Sequence, residues 1–289
     1  MTIRICAVGD LGVDRYPDRG TAFPGGSAAN VAVHARRRGA RAGYVGIVGD
    51  DAEGGHILAA MRAEEVDVSR VRRTPGPNSR TDVAHDEQGN RVFTAYRPPG
   101  ARLELDADDL AYLTGATWVH TGHSSFTDPQ LPAMSGVAPV AYDFSYQELA
   151  IAAPHLPYVT AAAFSRAEAS VAECRELIDA VAAAGPRIVA VTRGAAGSVV
   201  RKGADLVVQP AVAVRPVDTL GAGDAYLAAL LYADAAGLPL AEAAAEAAAY
   251  ASVVCGHLGA FGHPVPVGGA ADRRDMSLRT PGRSTSWQD

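Results

Sequence analysis

Lysine is all but missing from this chain: of its 26 basic side chains only Lys202 is a lysine. It stands in Val-Val-Arg-Lys-Gly-Ala-Asp with no Gly-x-x-x-x-Gly before it, so the lysine-bearing phosphate loop of the P-loop NTPases is excluded. Schiff-base chemistry needs a desolvated lysine in a pocket, whereas Lys202, between Arg201 and Gly203, reads as part of a hairpin turn. Cysteine is scarce as well. Cys6, Cys174 and Cys255 are odd in number, far apart and without a Cys-x-x-Cys, which argues against a disulfide framework or a zinc knuckle and for a reduced, cytoplasmic compartment. No apolar run approaches the ~20 residues of a membrane span, since Glu242 and Glu246 interrupt the Ala-rich stretch near 240. Met1 to Val8 is too short for a signal peptide's apolar region and reads as a first strand. A net charge of -6 supplies no basic excess for a nucleic acid. A protein that is neither exported, membrane-bound nor nucleic-acid-binding is expected.

What the 289 residues do contain is an ordinary globular balance, 48% hydrophobic and 20% charged. Short apolar runs at Ile3 to Val8, Ala42 to Val48, Thr117 to Thr121, Val137 to Phe144, Tyr158 to Ala163 and Arg187 to Thr192 predict strands. Between them, 27–38, 51–65 and 166–184 predict helices, and this βα alternation implies an α/β fold, a mostly parallel sheet covered on both faces. Gly223 to Ala236 and Leu240 to Cys255 predict two further helices split by Gly237-Leu-Pro239. Residues 11–24 and 79–97 break the rhythm and read as antiparallel strands outside the main sheet, the second pair joined by a turn at Asp86-Glu-Gln-Gly-Asn90. A single domain over 1–263 is expected, followed by a Gly/Pro/Ser/Arg-rich mobile tail over 264–289.

The segment richest in chemistry is Asp218-Thr-Leu-Gly221-Ala222-Gly223-Asp224-Ala-Tyr-Leu, a glycine turn running straight into an apolar helix. A helix start offers free N–H groups and the positive end of the helix dipole, so it can hold phosphate without any lysine. A carboxylate in that first turn is expected to stay ionised at pH 7, its pKa held down by the dipole, and can take a proton from a hydroxyl lying between it and the phosphate. Phosphoryl transfer needs charge stabilisation on the transferring oxygens and an oriented nucleophile, which the turn and Asp224 would supply. A lone Gly-x-Gly is more often a plain tight turn. A dinucleotide fingerprint is ruled out, because Tyr226 stands at the third-glycine position.

The string Asp-Thr-x-Gly-Ala-Gly-Asp-Ala resembles the second signature of the ribokinase-like (PfkB) carbohydrate kinases, in which the aspartate is the base. Their first signature is matched by Phe23-Pro-Gly25-Gly26-Ser-Ala-Ala-Asn30 through Gly39-Ala, followed by Tyr44-Val-Gly-Ile-Val-Gly49-Asp50-Asp51-Ala-Glu-Gly54. The likeness covers about 3–263. It implies a ribokinase-like three-layer sandwich with a small β lid over the acceptor, Asp224 as base, and Gly221, Ala222 and Gly223 as the anion hole. Gly25 and Gly26 would let a polyol approach the backbone, and Asn30 would offer a donor and an acceptor to hydroxyls. Asp14 matches the family's sugar-binding acid, with Asp10 the weaker candidate. Val191-Thr192-Arg-Gly194-Ala-Ala-Gly197 resembles the strand-end loop along the phosphates of ATP.

Where the family commonly has Asn-x-x-Glu near phosphate and metal, this chain has Ser165-Arg-Ala-Glu168, leaving Glu168 as the Mg2+ candidate. Asp218 and Thr219 match positions whose carbonyls help hold a monovalent cation such as K+ in some relatives. His120-Thr-Gly-His123 reads as structural or substrate-contacting rather than as a metal pair, because such spacing on a strand opposes the two rings. Tyr142-Asp143-Phe-Ser145, Ala152-x-Pro-His155-Leu and Gly259-Ala-Phe-Gly are most similar to the fructoselysine 6-kinase branch, although Arg97-Pro-Pro follows the lid tyrosine and suits an anionic group on the acceptor better than an amine. The expected activity is ATP-dependent transfer of a phosphoryl group to a primary hydroxyl of a sugar or fructosamine. The alternatives are a nucleoside kinase of the same fold and a non-catalytic sugar-binding regulator. A homodimer through the lid is expected from the pairable edges of a small exposed sheet.

Overall fold

Along the first strand, β1 (Arg4–Gly9), Ile5 and Ala7 alternate with Cys6 and Val8, and all four are inaccessible to solvent. A strand sealed on both faces belongs in the middle of a sheet with layers above and below. The computed structural model, which describes residues 2–85 and 91–267, with His85 and Arg91 as backbone only, places it there. On one side β1 pairs with β4 (Arg41–Gly49), and β4 with β5 (Asp67–Thr74). On the other follow β8 (Trp118–Gly122), β9 (Val140–Ser145), β10 (Ala161–Ser165) and β11 (Ile188–Thr192), all parallel. The hairpin β12 (Ser198–Lys202) and β13 (Asp205–Gln209) closes this nine-stranded sheet antiparallel, with Lys202 beside its turn and paired with Asp234 at 2.6 Å.

Helices α1 (Ser27–Arg37), α7 (Ala222–Ala235) and α8 (Leu240–Val254) contribute to the core on one face, where Ala141, Ala161, Ala163 and Ala190 lie among the strand residues beneath them, beside the larger Ile5, Trp118, Ile188 and Val200. Such small side chains let two Ala-rich helices settle close to the sheet. Longer side chains, Tyr142, Phe144 and Phe164, fill the opposite core with α6 (Val171–Ala183) and the short helices α3 (Ala107–Leu113), α4 (Leu131–Ser135) and α5 (Leu149–Ala152). α2 (Ala52–Ala63) covers the β4 side, started by Asp51, which accepts from the Gly54 amide at 2.8 Å. α6 begins at 171 rather than 166, because Ser170 and Glu173 form a reciprocal capping box there. The sequence pattern missed β5 and α3. β5 is Asp-Val-Ser-Arg-Val-Arg-Arg-Thr, an edge strand whose Arg70 and Arg72 bridge to Asp106 and Asp109 at the start of α3, so charge pairing replaces the apolar signal.

The two stretches outside the βα rhythm build a second sheet, ordered β14-β3-β2-β6-β7, from β2 (Gly12–Tyr16), β3 (Thr21–Gly25), β6 (Ser79–His85), β7 (Arg91–Arg97) and β14 (Val265–Pro266). Each stretch is an antiparallel pair, as expected, but the two join in parallel through β2 and β6. β14 pairs with β3, so the chain is still part of the fold at 264–267, where composition suggested a tail had begun. The remainder of the expected tail, 268–289, and the turn at 86–90 lie outside the described residues.

This lid is tied to the body by a buried contact: Tyr16 on β2 donates its hydroxyl to Asp218 Oδ2, and Asp218 is 1% exposed. The same carboxylate accepts from the Gly259 and Leu220 amides, each at 3.0 Å. Tyr16→Phe leaves Asp218 buried with one partner fewer. Urea denaturation is expected to show a loss of about 1 to 3 kcal/mol, the range for stranding a buried polar group.

Candidate active site

In an open parallel sheet, ligands gather outside the carboxyl ends of the strands where the order reverses. Here that point lies between β1, whose connection runs to β4, and β8. Asp10 immediately follows β1, and Asp143 stands near the end of β9. Over them converge the N-termini of α1 and α7.

α1 starts without a capping side chain of its own: its cap position is Gly26, at φ 104°. Any larger residue is excluded, because a Cβ there would stand 2.7 Å from the Asp10 carbonyl oxygen and 2.9 Å from Leu11 Cα. Asp10 supplies the missing cap. Its Oδ2 accepts from the Ser27 amide at 2.6 Å, and its Oδ1 from the Ala28 amide at 3.1 Å and from the Ser125 hydroxyl at 2.6 Å. Helix-start amides favour a carboxylate in this position. Asp10 therefore anchors α1, a role that its family spacing as a sugar-binding candidate did not reveal.

Anchored in this way, α1 presents two donors to Asp224. The Ser27 hydroxyl donates to Asp224 Oδ1 at 2.7 Å, and Asn30 Nδ2 donates to Oδ2 at 2.7 Å. Asn30 is 3% exposed and its Oδ1 has no partner among the described residues, so one acceptor remains for an entering hydroxyl. Asp224 sits in the first turn of α7, behind Gly221 in the left-handed region at φ 76°. A Cβ on Gly221 would lie 2.5 Å from Ala260 Cβ, whereas one on Gly223 would meet nothing within 4 Å, so Gly223 faces open space. Ala222 N–H is turned to the Thr219 carbonyl at 3.3 Å, and the Gly223 and Asp224 amides have no backbone acceptor among the described residues. Those two donors and the positive end of the helix dipole can receive an anion.

The electrostatics differ from expectation at Asp224. Burial raises its pKa, as does the charge of Asp143, while the bonds from Asn30 and Ser27 oppose the rise; the result is pushed up to about 7. Desolvation and like charge outweigh the helix dipole here. Asp143 is pushed up to about 6, chiefly by burial, with the Ser145 amide opposing and Asp10 adding. A carboxyl poised near neutrality is matched to proton transfer at cellular pH.

Asp143, Ser165, Thr192, Gly223 and Tyr226 share one cleft wall, which joins the strand-end loop to the start of α7. Gly194 and Gly197 continue that loop in a short 3-10 turn closed by the Arg193 amide on the Gly197 carbonyl at 2.7 Å. Glu168 lies in an exposed turn beyond β10, and no described contact joins it to Asp224. Arg166, two residues before Glu168, folds back onto the carbonyls of Ser145 and Gln147. The Asp218 carboxylate accepts from Tyr16, Gly259 and Leu220, and the Thr219 carbonyl from Ala222 at 3.3 Å; a carbonyl has a second lone pair, so the backbone oxygens of 218 and 219 stay candidates for a monovalent cation. His120 is inside the sheet and His123 opens the turn after β8; the described residues hold no cluster of three metal-ligating side chains.

On the lid, Asp14 is 8% exposed, and its Oδ2 lies where a Cβ on Gly25 would be. Arg97 is placed elsewhere. Val13 registers with Arg80 and Arg80 with Arg97, so strand alternation puts Arg97 on the face opposite Asp14. There Glu53 of α2 holds Arg80 at 2.6 Å and Arg97 at 3.6 Å, and Arg97 Nη2 also donates to the Asn78 carbonyl at 3.1 Å. The expected contact of Arg97 with the acceptor gives way to this bridge between lid and body. Ser27, Ser125 and Asp143 are the site residues that pattern reading passed over. Ser27 was legible only as the residue after Gly-Gly at a helix start, and Asp143 only as an acid closing an apolar strand.

The comparisons with known proteins agree with this geometry. The description "pfkB family carbohydrate kinase" matches residues 5–266. The fructosamine kinase FrlD of Bacillus subtilis (strain 168) is 37% identical over 269 residues, 91% of this chain and 95% of its own length. The fructoselysine 6-kinase of Escherichia coli (strain K12) is 34% identical over 269 residues, 89% of this chain and 99% of its own. Among solved structures, Arabidopsis thaliana ribokinase complexed with ribose and ATP superposes with a TM-score of 0.77 at 23% identity, covering 90% of this chain and 95% of its own, which establishes the ribokinase-like fold. The chain belongs to the pfkB family of carbohydrate kinases and is an ATP-dependent phosphotransferase acting on a sugar hydroxyl.

Proposed function

We propose that the protein phosphorylates a primary hydroxyl of a fructosamine of the fructoselysine type, with Asp224 as the base. The observation that carries the mechanism is Asp224 held between Ser27 and Asn30 at the start of α7, beside two amides without acceptors. Asp224 takes the proton of the acceptor hydroxyl as that oxygen forms its bond to the γ-phosphorus of ATP. The bond from phosphorus to the bridging oxygen breaks and ADP leaves. The Gly223 and Asp224 amides stabilise the charge on the transferring oxygens. Thr192 and the loop through Gly194 and Gly197 line the nucleotide side, and Asp14, Gly25, Gly26 and Asn30 the acceptor side. The family implies a divalent cation; Mg2+ would be held chiefly by the phosphates of ATP, with Glu168 as the candidate carboxylate. Mg2+ would supply charge neutralisation there.

Two features favour a fructosamine over a neutral sugar. The cleft is acidic, with Asp10 and Asp143 close enough to perturb Asp224, which suits an acceptor bearing an ammonium group. Arg97, the cation that would have argued for an anionic acceptor, is on the other face. The two bacterial relatives act in the same chemical class by name. No described helix is long and apolar enough to cross a membrane, and the three cysteines are unpaired, which is compatible with cytoplasmic work on ATP.

ADP release with fructoselysine, D-fructose, D-ribose and adenosine as acceptors is expected to give the highest kcat/KM with fructoselysine. Adenosine ahead of the sugars would make the protein a nucleoside kinase, and no turnover of any would make it a binding protein.

Asp224→Asn is expected to lower kcat by about 10²- to 10⁴-fold with KM little changed. In the wild type, only the ionised carboxyl can accept the proton, so kcat/KM should rise about tenfold per pH unit below about 7 and level off above it. Stability should move the opposite way. A folded-state pKa above the unfolded value of 3.8 means that ionisation at high pH costs stability. Asp224→Asn is thus expected to be more stable than wild type by about 1 to 2 kcal/mol at pH 8, discounted for the open cleft, and to lose that advantage progressively as the pH falls from about 7 to about 4. Full activity in the variant, or an acid limb near 4, would remove Asp224 from the role.

The lid offers a dimer contact. Its edge strand β7 exposes Val92 and Phe93, 42% and 40% accessible. An apolar edge strand is ready to pair with another copy. Light scattering at micromolar concentration should return twice the chain mass; a monomer would refute the dimer.

A further inference from the structure

Asp224 accepts two side-chain hydrogen bonds, and they differ in kind. Asn30 is the hydroxyl contact expected from the family signature, whereas Ser27, within the same matched stretch, carries no expected role, and its hydroxyl is fixed on Asp224 Oδ1 at 2.7 Å. The placement of Ser27 is determined upstream of the site: its backbone amide is gripped by Asp10 Oδ2 at 2.6 Å, Asp10 Oδ1 is held by Ser125 at 2.6 Å, and the Asp10 amide donates back to the Ser125 hydroxyl at 3.1 Å. The 3-10 turn His123–Ser125 after β8 is thereby connected, through Asp10 and Ser27, to the carboxyl at the start of α7.

We infer that Ser27 is a positioning residue for the phosphoryl-transfer reaction: it holds Oδ1 of Asp224 so that the carboxylate presents its remaining lone pairs to the acceptor hydroxyl. The inference deepens the assignment of Asp224 as base and rests on it. A hydrogen bond to a carboxylate favours its charged form, and it restricts rotation of the carboxyl about its Cβ–Cγ bond. The groups facing Asp224 are Ser27 and Asn30 from α1, Asp143 from β9 and Asp10 beyond β1; the last two repel its charge, and only the first two support it. Removing Ser27 leaves Asn30 as the sole side-chain donor against two acids.

Ser27→Ala keeps the backbone amide that Asp10 grips, so α1 retains its cap and the melting temperature should not change. With ATP and fructoselysine, or D-fructose should fructoselysine not be turned over, the variant is expected to show kcat lowered about 3- to 10-fold at pH 8 with the acceptor KM within twofold of wild type. The acid limb of its kcat/KM profile should move to higher pH by about half a unit to one unit, so that the deficit is larger at pH 6 than at pH 9. Ser27→Thr, which keeps the hydroxyl, should restore the wild-type limb. An unmoved limb with a raised KM would make Ser27 a sugar contact, and an unmoved limb with unchanged kcat would make the bond idle; either overturns the inference. Failure of Asp224 itself as base is read separately, from retained kcat in Asp224→Asn.

Discussion

The carboxylate of Asp10 is the point on which the site's geometry depends. It is the first residue beyond β1, at the place where the strand order reverses, and it caps a helix that cannot cap itself because its cap position is a glycine in a conformation open to little else. The direction of α1 is set there. Everything α1 contributes follows from that direction: Ser27 and Asn30, three residues apart on one helical face, reach the same carboxyl on α7. Two helix N-termini are thus brought together at one end of the sheet, one capped by Asp10 and the other with two amides that have no backbone acceptor among the described residues. The requirement for Gly26 comes from the same contact, since the Asp10 carbonyl occupies the space a side chain would need.

Crowding acids against one another has a second consequence. Asp10, Asp143 and Asp224 stand in one cleft with no lysine near them, the single lysine being on the far hairpin. Repulsion and burial keep Asp224 close to neutrality in pKa, and the two hydrogen bonds from α1 moderate the rise. An ordinary exposed aspartate would be ionised but too weak a base to draw a proton from an alcohol as the phosphorus approaches. The acidity that raises the Asp224 pKa also gives the cleft a negative potential, so both features arise from one charge distribution.

Much of this organisation was legible in the residues. The βα alternation, the lid segments and the Gly-Ala-Gly-Asp helix start are local patterns, and local patterns survive in a sequence. The roles of Asp10 and Ser27 were not legible, because a cap 17 residues away in sequence and a hydroxyl 197 residues from its acceptor leave no periodic trace. The pKa of Asp224 departs from expectation for the same reason: the helix dipole is implied by the motif, whereas burial, the larger effect, and the charge of Asp143 come from distant parts of the chain. Arg97 was read towards the acceptor from its place after Tyr96, but which face a strand residue takes depends on register, and the register here gives Arg97 to Glu53. β5 escaped because its arginines find Asp106 and Asp109 across the edge of the sheet.

Lid and body are joined at both faces of the small sheet, and the two junctions differ in chemistry. On the side of Asp14, Tyr16 donates to Asp218, whose carboxylate also holds the Leu220 amide just before the anion site and the Gly259 amide of the closing loop. On the opposite side, Glu53 in the first turn of α2 binds arginines from two neighbouring lid strands. The first junction is buried and short-ranged, so it fixes the lid's root against the phosphate turn. The second joins long, largely buried side chains: Arg80 reaches both Glu53 oxygens, and Arg97 adds a longer ion pair and a bond to the Asn78 carbonyl. The lid is thus bound to the body on both faces, through the turn that leads into Gly221 on one and through the start of α2 on the other.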